Sequence, residues 1–199
     1  MTDDLERDEE AIRERRVGQV LLYYGQGKGK TTAAFGLALR AVGRGWRVCM
    51  LQFTKSGEWP PGKSVGENVA AARLAPEFEL ITTGLGFVNI MGDPYPFQAH
   101  VEAAQRGLAL AREKIHSGEY DLVILDEVVG AVSQGQIALE DLIRLMREKP
   151  RPLSMLLTGH DDREEFIARL VEVADLVSEM CKIKHPFDSG KQARRGLDY

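Results

Sequence analysis

The sequence contains little of what several classes of protein require. Its only two cysteines, Cys49 and Cys181, lie far apart in the chain, so they form neither a disulfide framework nor a cysteine-rich metal site. The four histidines are scattered without the spacing of a zinc site. The 26 Lys and Arg residues are outnumbered by 30 Asp and Glu residues, and the net charge is −4. This balance argues against a general nucleic-acid-binding protein.

Long apolar segments are also missing. No apolar run approaches the length of a membrane span, and the first residues lack the apolar stretch of a signal peptide. We therefore expect no membrane association and a cytoplasmic location. The remaining composition, 44% hydrophobic and 28% charged, is typical of a soluble globular protein, and 199 residues suit a single domain.

Residues 1–16 differ in composition from the rest of the chain. They contain seven acidic residues and four arginines, with only a thin apolar stripe. Such a segment is typical of a solvated arm or a frayed helix. The alternative is a helix that folds over a site when a ligand is present. We divide the chain into this charged arm, residues 1–16, and one domain, residues 17–199.

From residue 17 onward, predicted strands and helices alternate. The predicted strands are residues 17–24, 47–53, 78–82, 121–125, 153–158 and 176–183. The predicted helices are residues 30–42, 67–74, 97–116, 139–147 and 163–173. Because several strands are continuously apolar, the pattern predicts an α/β fold with a mostly parallel sheet and helices on both faces.

A glycine-rich segment lies between the first strand and the first helix. Its sequence is Gly25-Gln26-Gly27-Lys28-Gly29-Lys30-Thr31-Thr32. Glycines let successive N–H groups point at one anion, and the helix N-terminus adds to the attraction. Lys30 would reach the terminal phosphates of a nucleotide, and Thr31 would place its hydroxyl on Mg²⁺. Tyr24 stands where the usual pattern has its first glycine. The context predicts a P-loop NTPase fold of the RecA-like type, and the alternative is a glycine-rich turn without a ligand.

Two acidic residues, Asp126 and Glu127, follow a short apolar strand. In P-loop enzymes an acid at this position holds hydrated magnesium, although many ordinary strands also end in Asp. The spacing does not decide which of the two would bind the metal. These motifs leave the chemistry open between ATP hydrolysis, phosphoryl transfer to a small molecule, attack on another atom of the nucleotide, and nucleotide binding without catalysis.

From about residue 20 to residue 199, the chain resembles the ATP:corrinoid adenosyltransferases of the CobA type. The end of the chain carries the most specific part of the resemblance, residues 184–190 (KHPFDSG) and 196–199 (GLDY). Further matching segments are residues 25–36, 40–43, 52–55 (QFTK), 83–84, 125–127 (LDE), 158–159 and 174–180 (ADLVSEM).

The resemblance implies a reaction in which a reduced corrinoid, cob(I)alamin or cob(I)yrinic acid a,c-diamide, attacks the 5′ carbon of ATP and expels triphosphate. The product would be adenosylcobalamin or its precursor. The cobalt is itself the nucleophile, so no protein base is required. The resemblance further implies a Mg²⁺ cofactor, an electron-donating reductase as partner and a homodimer. The loop N–H groups, Lys28, Lys30 and magnesium would stabilise the leaving triphosphate.

The resemblance also implies where the corrinoid binds. Residues 83–87 match a family segment that usually carries two aromatic residues against the corrinoid. Here the corresponding residues are Leu85 and Phe87, so the apolar character is kept with less stacking. Packing in the core is the alternative role for these two residues. The family uses its N-terminal segment as a cover, which favours that role for residues 1–16. His160 stands where relatives often have arginine.

Overall fold

The computed structural model describes residues 16–56, 65–86, 88 and 92–197. The strands are β1 (Val20–Tyr24), β2 (Val48–Gln52), β3 (Phe78–Thr82), β4 (Leu122–Asp126), β5 (Ser154–Gly159) and β6 (Leu176–Glu179). The α-helices are α1 (Lys30–Val42), α2 (Gly66–Ala71), α3 (Phe97–His116), α4 (Val128–Ser133), α5 (Leu139–Glu148) and α6 (Glu164–Val171). Two 3₁₀ helices cover Ala72–Leu74 and Pro186–Ser189. None of the helices in these ranges is long and apolar enough to cross a membrane.

The six strands form one sheet in the order β3-β2-β4-β5-β1-β6, and every paired neighbour is parallel. Alternate residues of the strands face opposite sides. On one side Leu22, Leu51 and Leu125 pack in a core that includes residues of α3 to α6. On the other side Met50 and Ile124 pack with residues of α1 and α2. The predicted α/β fold is therefore confirmed, with helices on both faces of the sheet.

Several boundaries differ from the sequence-based prediction: β1 begins at Val20, not at residue 17, and α6 ends at Val171, not at residue 173. The two larger differences concern the last strand and an additional helix. The last strand ends at Glu179, not at Ile183, because the Met180 N–H donates to the Tyr24 carbonyl and the Met180 carbonyl accepts from the Gly27 N–H. These bonds turn the chain over the glycine-rich loop. Helix α4 was not predicted, and it begins directly after Glu127, whose φ of 61° lies in the left-handed region.

The charged arm is described only at its last residue, and residues 1–15 lie outside the described residues. The Arg16 guanidinium donates to Asp121 Oδ1 at 2.6 Å and to the Pro152 carbonyl at 2.9 Å, and it lies 4.1 Å from the Trp46 ring centroid. Asp121 directly precedes β4, and Pro152 lies two residues before the start of β5. Arg16 is thus anchored at the amino edge of the sheet, opposite the glycine-rich loop, and the role of the arm as a cover stays a prediction.

We expect Arg16→Ala to lower the free energy of unfolding by about 1–3 kcal/mol, because it leaves the largely buried Asp121 carboxylate without its guanidinium. Chemical denaturation measures this change. Arg112→Ala is the matched control, since its ion pair with Glu148 is long, at 3.8 Å, and exposed, and should contribute less than about 0.5 kcal/mol. Equal effects of the two substitutions would contradict the expectation.

Candidate nucleotide-binding site

The glycine-rich loop joins β1 to α1 and presents the start of that helix without a cap. Gly25 and Gly29 have φ values of 113° and 115°, which side-chain-bearing residues rarely adopt. Gly29 is the N-cap of α1; it provides no side-chain hydrogen bond, and the first turn contains no acidic residue. The N–H groups at the start of α1, together with the helix dipole, are therefore suited to bind an anion.

The segment after β6 supports the loop from one side. The Gly27 N–H donates to the Met180 carbonyl at 2.6 Å, and a Cβ at Gly27 would lie within 2.8 Å of the Met180 and Cys181 carbonyl oxygens. Only glycine fits this close approach. Tyr24, at the position of the usual first glycine, is the last residue of β1. The residue that departs from the usual pattern therefore belongs to the strand, and the loop begins at Gly25.

Lys30 lies across the loop. Its ammonium donates to the Gly25 carbonyl at 2.7 Å and to the Gly27 carbonyl at 3.0 Å. The positive charge is therefore held at the centre of the loop, at the place where a P-loop lysine contacts phosphate.

Asp126 is the centre of a network of four side chains. Its carboxylate has no exposed surface, and Oδ1 accepts from the hydroxyls of Thr31 at 3.0 Å and Thr158 at 2.8 Å. Oδ2 accepts from Gln52 Nε2 at 3.1 Å and lies 3.2 Å from Lys55 Nζ. Because Thr31 donates its proton to Asp126 and accepts from Lys55 Nζ at 3.2 Å, one lone pair of the Thr31 oxygen remains available to a metal ion. Thr31 and Asp126, two of the three residues that the sequence assigned to magnesium, are thus in direct contact.

Glu127 presents the second carboxylate of the site. Its N–H donates to Thr158 Oγ1 at 2.9 Å, which fixes the backbone at the end of the strand. Burial and the neighbouring charge of Asp126 raise the pKa of the Glu127 carboxyl, whereas the charges of Lys30 and Lys55 oppose the increase. Among the described residues, no side chain donates a hydrogen bond to this carboxylate.

These donors suit magnesium better than a softer metal. Thr31, Asp126 and Glu127 offer oxygen only, and the described residues contain no cluster of three or more His, Cys, Asp or Glu side chains placed to hold a metal. Mg²⁺ is commonly held by one or two carboxylates while it keeps its waters and binds the phosphates of the substrate. The residues present therefore fit a hydrated Mg²⁺ that arrives with a nucleotide.

Three residues of the network were not identified as site residues from the sequence. Gln52 and Thr158 lie at the carboxyl ends of β2 and β5, and Lys55 follows β2 by three residues. Two signals were available: all three residues lie in segments that match the family, 52–55 and 158–159, and Gln52 and Thr158 are polar residues at the ends of largely apolar strands. Their contacts with Asp126 depend on the strand order, in which β4 lies between β2 and β5.

Gln52 also contacts the segment predicted to bind the corrinoid. Its carbonyl accepts from the Thr83 N–H at 2.9 Å, the Thr83 hydroxyl at 3.1 Å and the Gly84 N–H at 3.2 Å. A Cβ at Gly84 would lie 2.3 Å from the Phe53 carbonyl oxygen, so this segment packs directly on the backbone after β2. Leu85 follows and is partly exposed. Phe87 lies outside the described residues, so its contact with a corrinoid stays a prediction.

His160, at the position where the sequence analysis noted an arginine in relatives, contacts one acidic side chain, that of Asp162. Its Nε2 lies 3.1 Å from Asp162 Oδ1, which also accepts from Gln26 Nε2 at 3.0 Å. The Nδ1 atom is buried without a hydrogen-bond partner among the described residues. His160 is thus linked through Asp162 to the beginning of the loop.

Comparison with known proteins gives consistent results. A family model described as ATP:corrinoid adenosyltransferase BtuR/CobO/CobP matches residues 16–199. The corrinoid adenosyltransferase of Escherichia coli (strain K12) is 34% identical over 92% of this chain and 86% of its own length. The corrinoid adenosyltransferase CobA of Salmonella typhimurium is 33% identical over the same shares.

A solved structure supports the fold class. The flagellar accessory protein FlaH from Methanocaldococcus jannaschii aligns with a TM-score of 0.51 over 82% of this chain and 71% of its own chain. At 12% sequence identity, this likeness concerns the fold alone. The predicted P-loop NTPase-like fold is confirmed.

Proposed function

The chain belongs to the ATP:corrinoid adenosyltransferase family, and we propose that its glycine-rich loop binds the triphosphate of ATP while a reduced corrinoid attacks the 5′ carbon. The family and its ATP-dependent transfer of an adenosyl group to a corrinoid agree with the resemblance found in the sequence. What we add is the role of each residue. The observation that carries this proposal is the contact of Thr31 with Asp126, next to the ammonium of Lys30.

The reaction requires the protein to stabilise negative charge on the leaving group and does not require it to transfer a proton. The cobalt in the +1 state donates an electron pair to the 5′ carbon, the bond from that carbon to oxygen breaks, and triphosphate leaves with its electrons. Cobalt is thereby oxidised to the +3 state, and no proton has to be removed from the nucleophile. Stabilisation of the charge that develops on the leaving group is therefore the main catalytic contribution of Lys30 and the loop N–H groups.

Magnesium is part of the proposal. When bound, Mg²⁺ would neutralise part of the charge of the triphosphate. Thr31 Oγ1 would be a direct ligand because its proton is donated to Asp126. Glu127 offers the carboxylate that no side chain of the described residues donates to, and Asp126 would act from the next layer by orienting Thr31 and bound water.

The corrinoid is proposed to lie against Thr83–Leu85, with Phe87 as a second contact. Gln52 supports this assignment because its carbonyl holds Thr83 and Gly84 while its side chain bonds Asp126. The two proposed substrate sites thus share one residue. Either cob(I)alamin or cob(I)yrinic acid a,c-diamide would satisfy this arrangement. Because the cobalt must be in the +1 state, a reductase is the proposed partner. A homodimer and a cytoplasmic location stay proposals that rest on the resemblance.

The main alternative, an ATPase that uses the acidic pair to activate water, predicts a different effect of Glu127→Gln. If a corrinoid is the nucleophile, we expect the substitution to reduce kcat by about tenfold or less at saturating Mg²⁺, because no base is lost. An ATPase would lose about 10²–10⁴-fold with its general base. Single-turnover rates with chemically reduced cob(I)alamin measure the effect, and a loss of about 10²-fold or more would contradict the proposed role of Glu127.

A further inference from the structure

Lys55 is a cation at the nucleotide site that the P-loop pattern does not include. It lies three residues after β2, at the carboxyl edge of the sheet. Its Nζ donates to Thr31 Oγ1 at 3.2 Å and lies 3.2 Å from Asp126 Oδ2. The ammonium therefore contacts Thr31, the proposed direct ligand of magnesium, and Asp126, the proposed carboxylate that orients Thr31.

The positive charge of Lys55 compensates the negative charge of the buried Asp126 carboxylate. The Asp126 side chain is fully buried, and a buried carboxylate is costly unless a cation and hydrogen bonds compensate it. The three other donors to Asp126, from Thr31, Thr158 and Gln52, are neutral. Lys55 is thus the positive charge in direct contact with this carboxylate.

Lys55 and Mg²⁺ cannot keep the same position. A divalent ion on Thr31 Oγ1 would stand close to an ammonium that bonds the same oxygen, and the two positive charges would repel each other. The Lys55 side chain is 32% exposed and carries the charge on a flexible stem, so the ammonium is able to move. The triphosphate in the loop is the anion that would then lie nearest.

We propose that Lys55 is a catalytic cation that bonds Thr31 and Asp126 before the nucleotide arrives and transfers its contact to the triphosphate when Mg²⁺ binds. In the first position its ammonium neutralises the charge of the buried Asp126 carboxylate. In the second it adds a positive charge to the leaving group as the bond to the 5′ carbon breaks. This inference rests on the proposed function, because it requires Mg²⁺ and triphosphate to bind at this loop.

Two binding measurements on Lys55→Met test the proposal without relying on turnover. The first is the affinity of the nucleotide-free protein for Mn²⁺, a spectroscopic substitute for Mg²⁺, measured by electron paramagnetic resonance. The second is the affinity for triphosphate in the presence of Mg²⁺, measured by calorimetry. We expect Mn²⁺ to bind about tenfold more tightly, because no ammonium has to be displaced, and triphosphate to bind about tenfold more weakly.

Control variants separate the charge of Lys55 from its effect on folding. Lys55→Arg keeps the charge, so it should retain triphosphate affinity within about threefold of the wild type. Lys149→Met removes a lysine whose ammonium donates to the Gly18 carbonyl, away from the loop, and should change neither affinity. If Lys55→Met fails to fold, Lys55→Gln, which keeps a polar donor without the charge, takes its place in both measurements.

The outcomes distinguish this inference from the proposed function. Tighter Mn²⁺ binding together with weaker triphosphate binding supports the role of Lys55. Unchanged triphosphate affinity in the folded variant overturns it, whatever the Mn²⁺ result. If the wild-type protein itself fails to bind triphosphate with Mg²⁺, the proposed function is overturned together with the inference.

Discussion

Lys30→Ala is expected to lower kcat for adenosyl transfer by about 10³-fold. One preorganised donor to a developing anion contributes about 10²–10³ in rate, and a charged donor contributes at the upper end of this range. The Lys30 ammonium lies within the loop, on the Gly25 and Gly27 carbonyls, where it can reach a bound triphosphate.

Single-turnover rates with prereduced cob(I)alamin measure this effect without dependence on a reductase. Lys149→Ala is the control, because it removes a lysine at the amino edge of the sheet and should leave kcat within about threefold. Circular dichroism and thermal unfolding of Lys30→Ala should show an intact fold. A decrease of less than tenfold in kcat would contradict the assignment of Lys30 to the leaving group.

Asp126→Asn should affect both ATP binding and stability. Four donors converge on the Asp126 carboxylate, whereas an asparagine offers one acceptor oxygen and directs its own NH₂ group at other donors. We expect the free energy of unfolding to fall by about 2–4 kcal/mol, since one partner of a buried ion pair is removed. Thr31 also loses the acceptor that orients it, so Mg²⁺-dependent ATP binding should weaken by about 100-fold.

Calorimetric titration with ATP, with and without Mg²⁺, separates the two effects of Asp126→Asn. Asp161→Asn is the control for stability alone. Its carboxyl is buried, and the hydrogen bonds from Arg163 lower its pKa to about 2, so this variant should also lose stability. Mg²⁺-dependent ATP affinity should stay near the wild-type value in the control. An equal loss of Mg²⁺ dependence in both variants would contradict the specific role of Asp126.

The local sequence was sufficient to predict the bounds of some helices. Helices α1 and α3 begin and end where the apolar period and their flanking Gly and Pro residues predict. The sequence assigned both Thr31 and Asp126 to magnesium, and in the structure Thr31, at the start of α1, contacts Asp126, at the end of β4. Strand–loop–helix order was sufficient to predict that these two residues lie near each other.

Other features depend on contacts that no local pattern contains. The sequence does not specify that β5 lies between β1 and β4, which brings Thr158 to Asp126. It does not indicate the positive φ of Glu127, from which the unpredicted α4 begins. The early end of β6 is caused by hydrogen bonds of Met180 to the loop, more than 150 residues away in sequence. These features depend on long-range contacts, which override the local preference of a segment for helix or strand.

The most direct test of the central claim is to mix the protein with ATP, Mg²⁺ and chemically reduced cob(I)alamin in the absence of oxygen. The visible spectrum is followed, and the phosphate products are then separated and quantified. We predict the spectrum of a light-sensitive alkylcobalamin, with one triphosphate released for each corrinoid converted. An unchanged corrinoid spectrum with steady release of ADP would contradict adenosyl transfer and favour an ATPase.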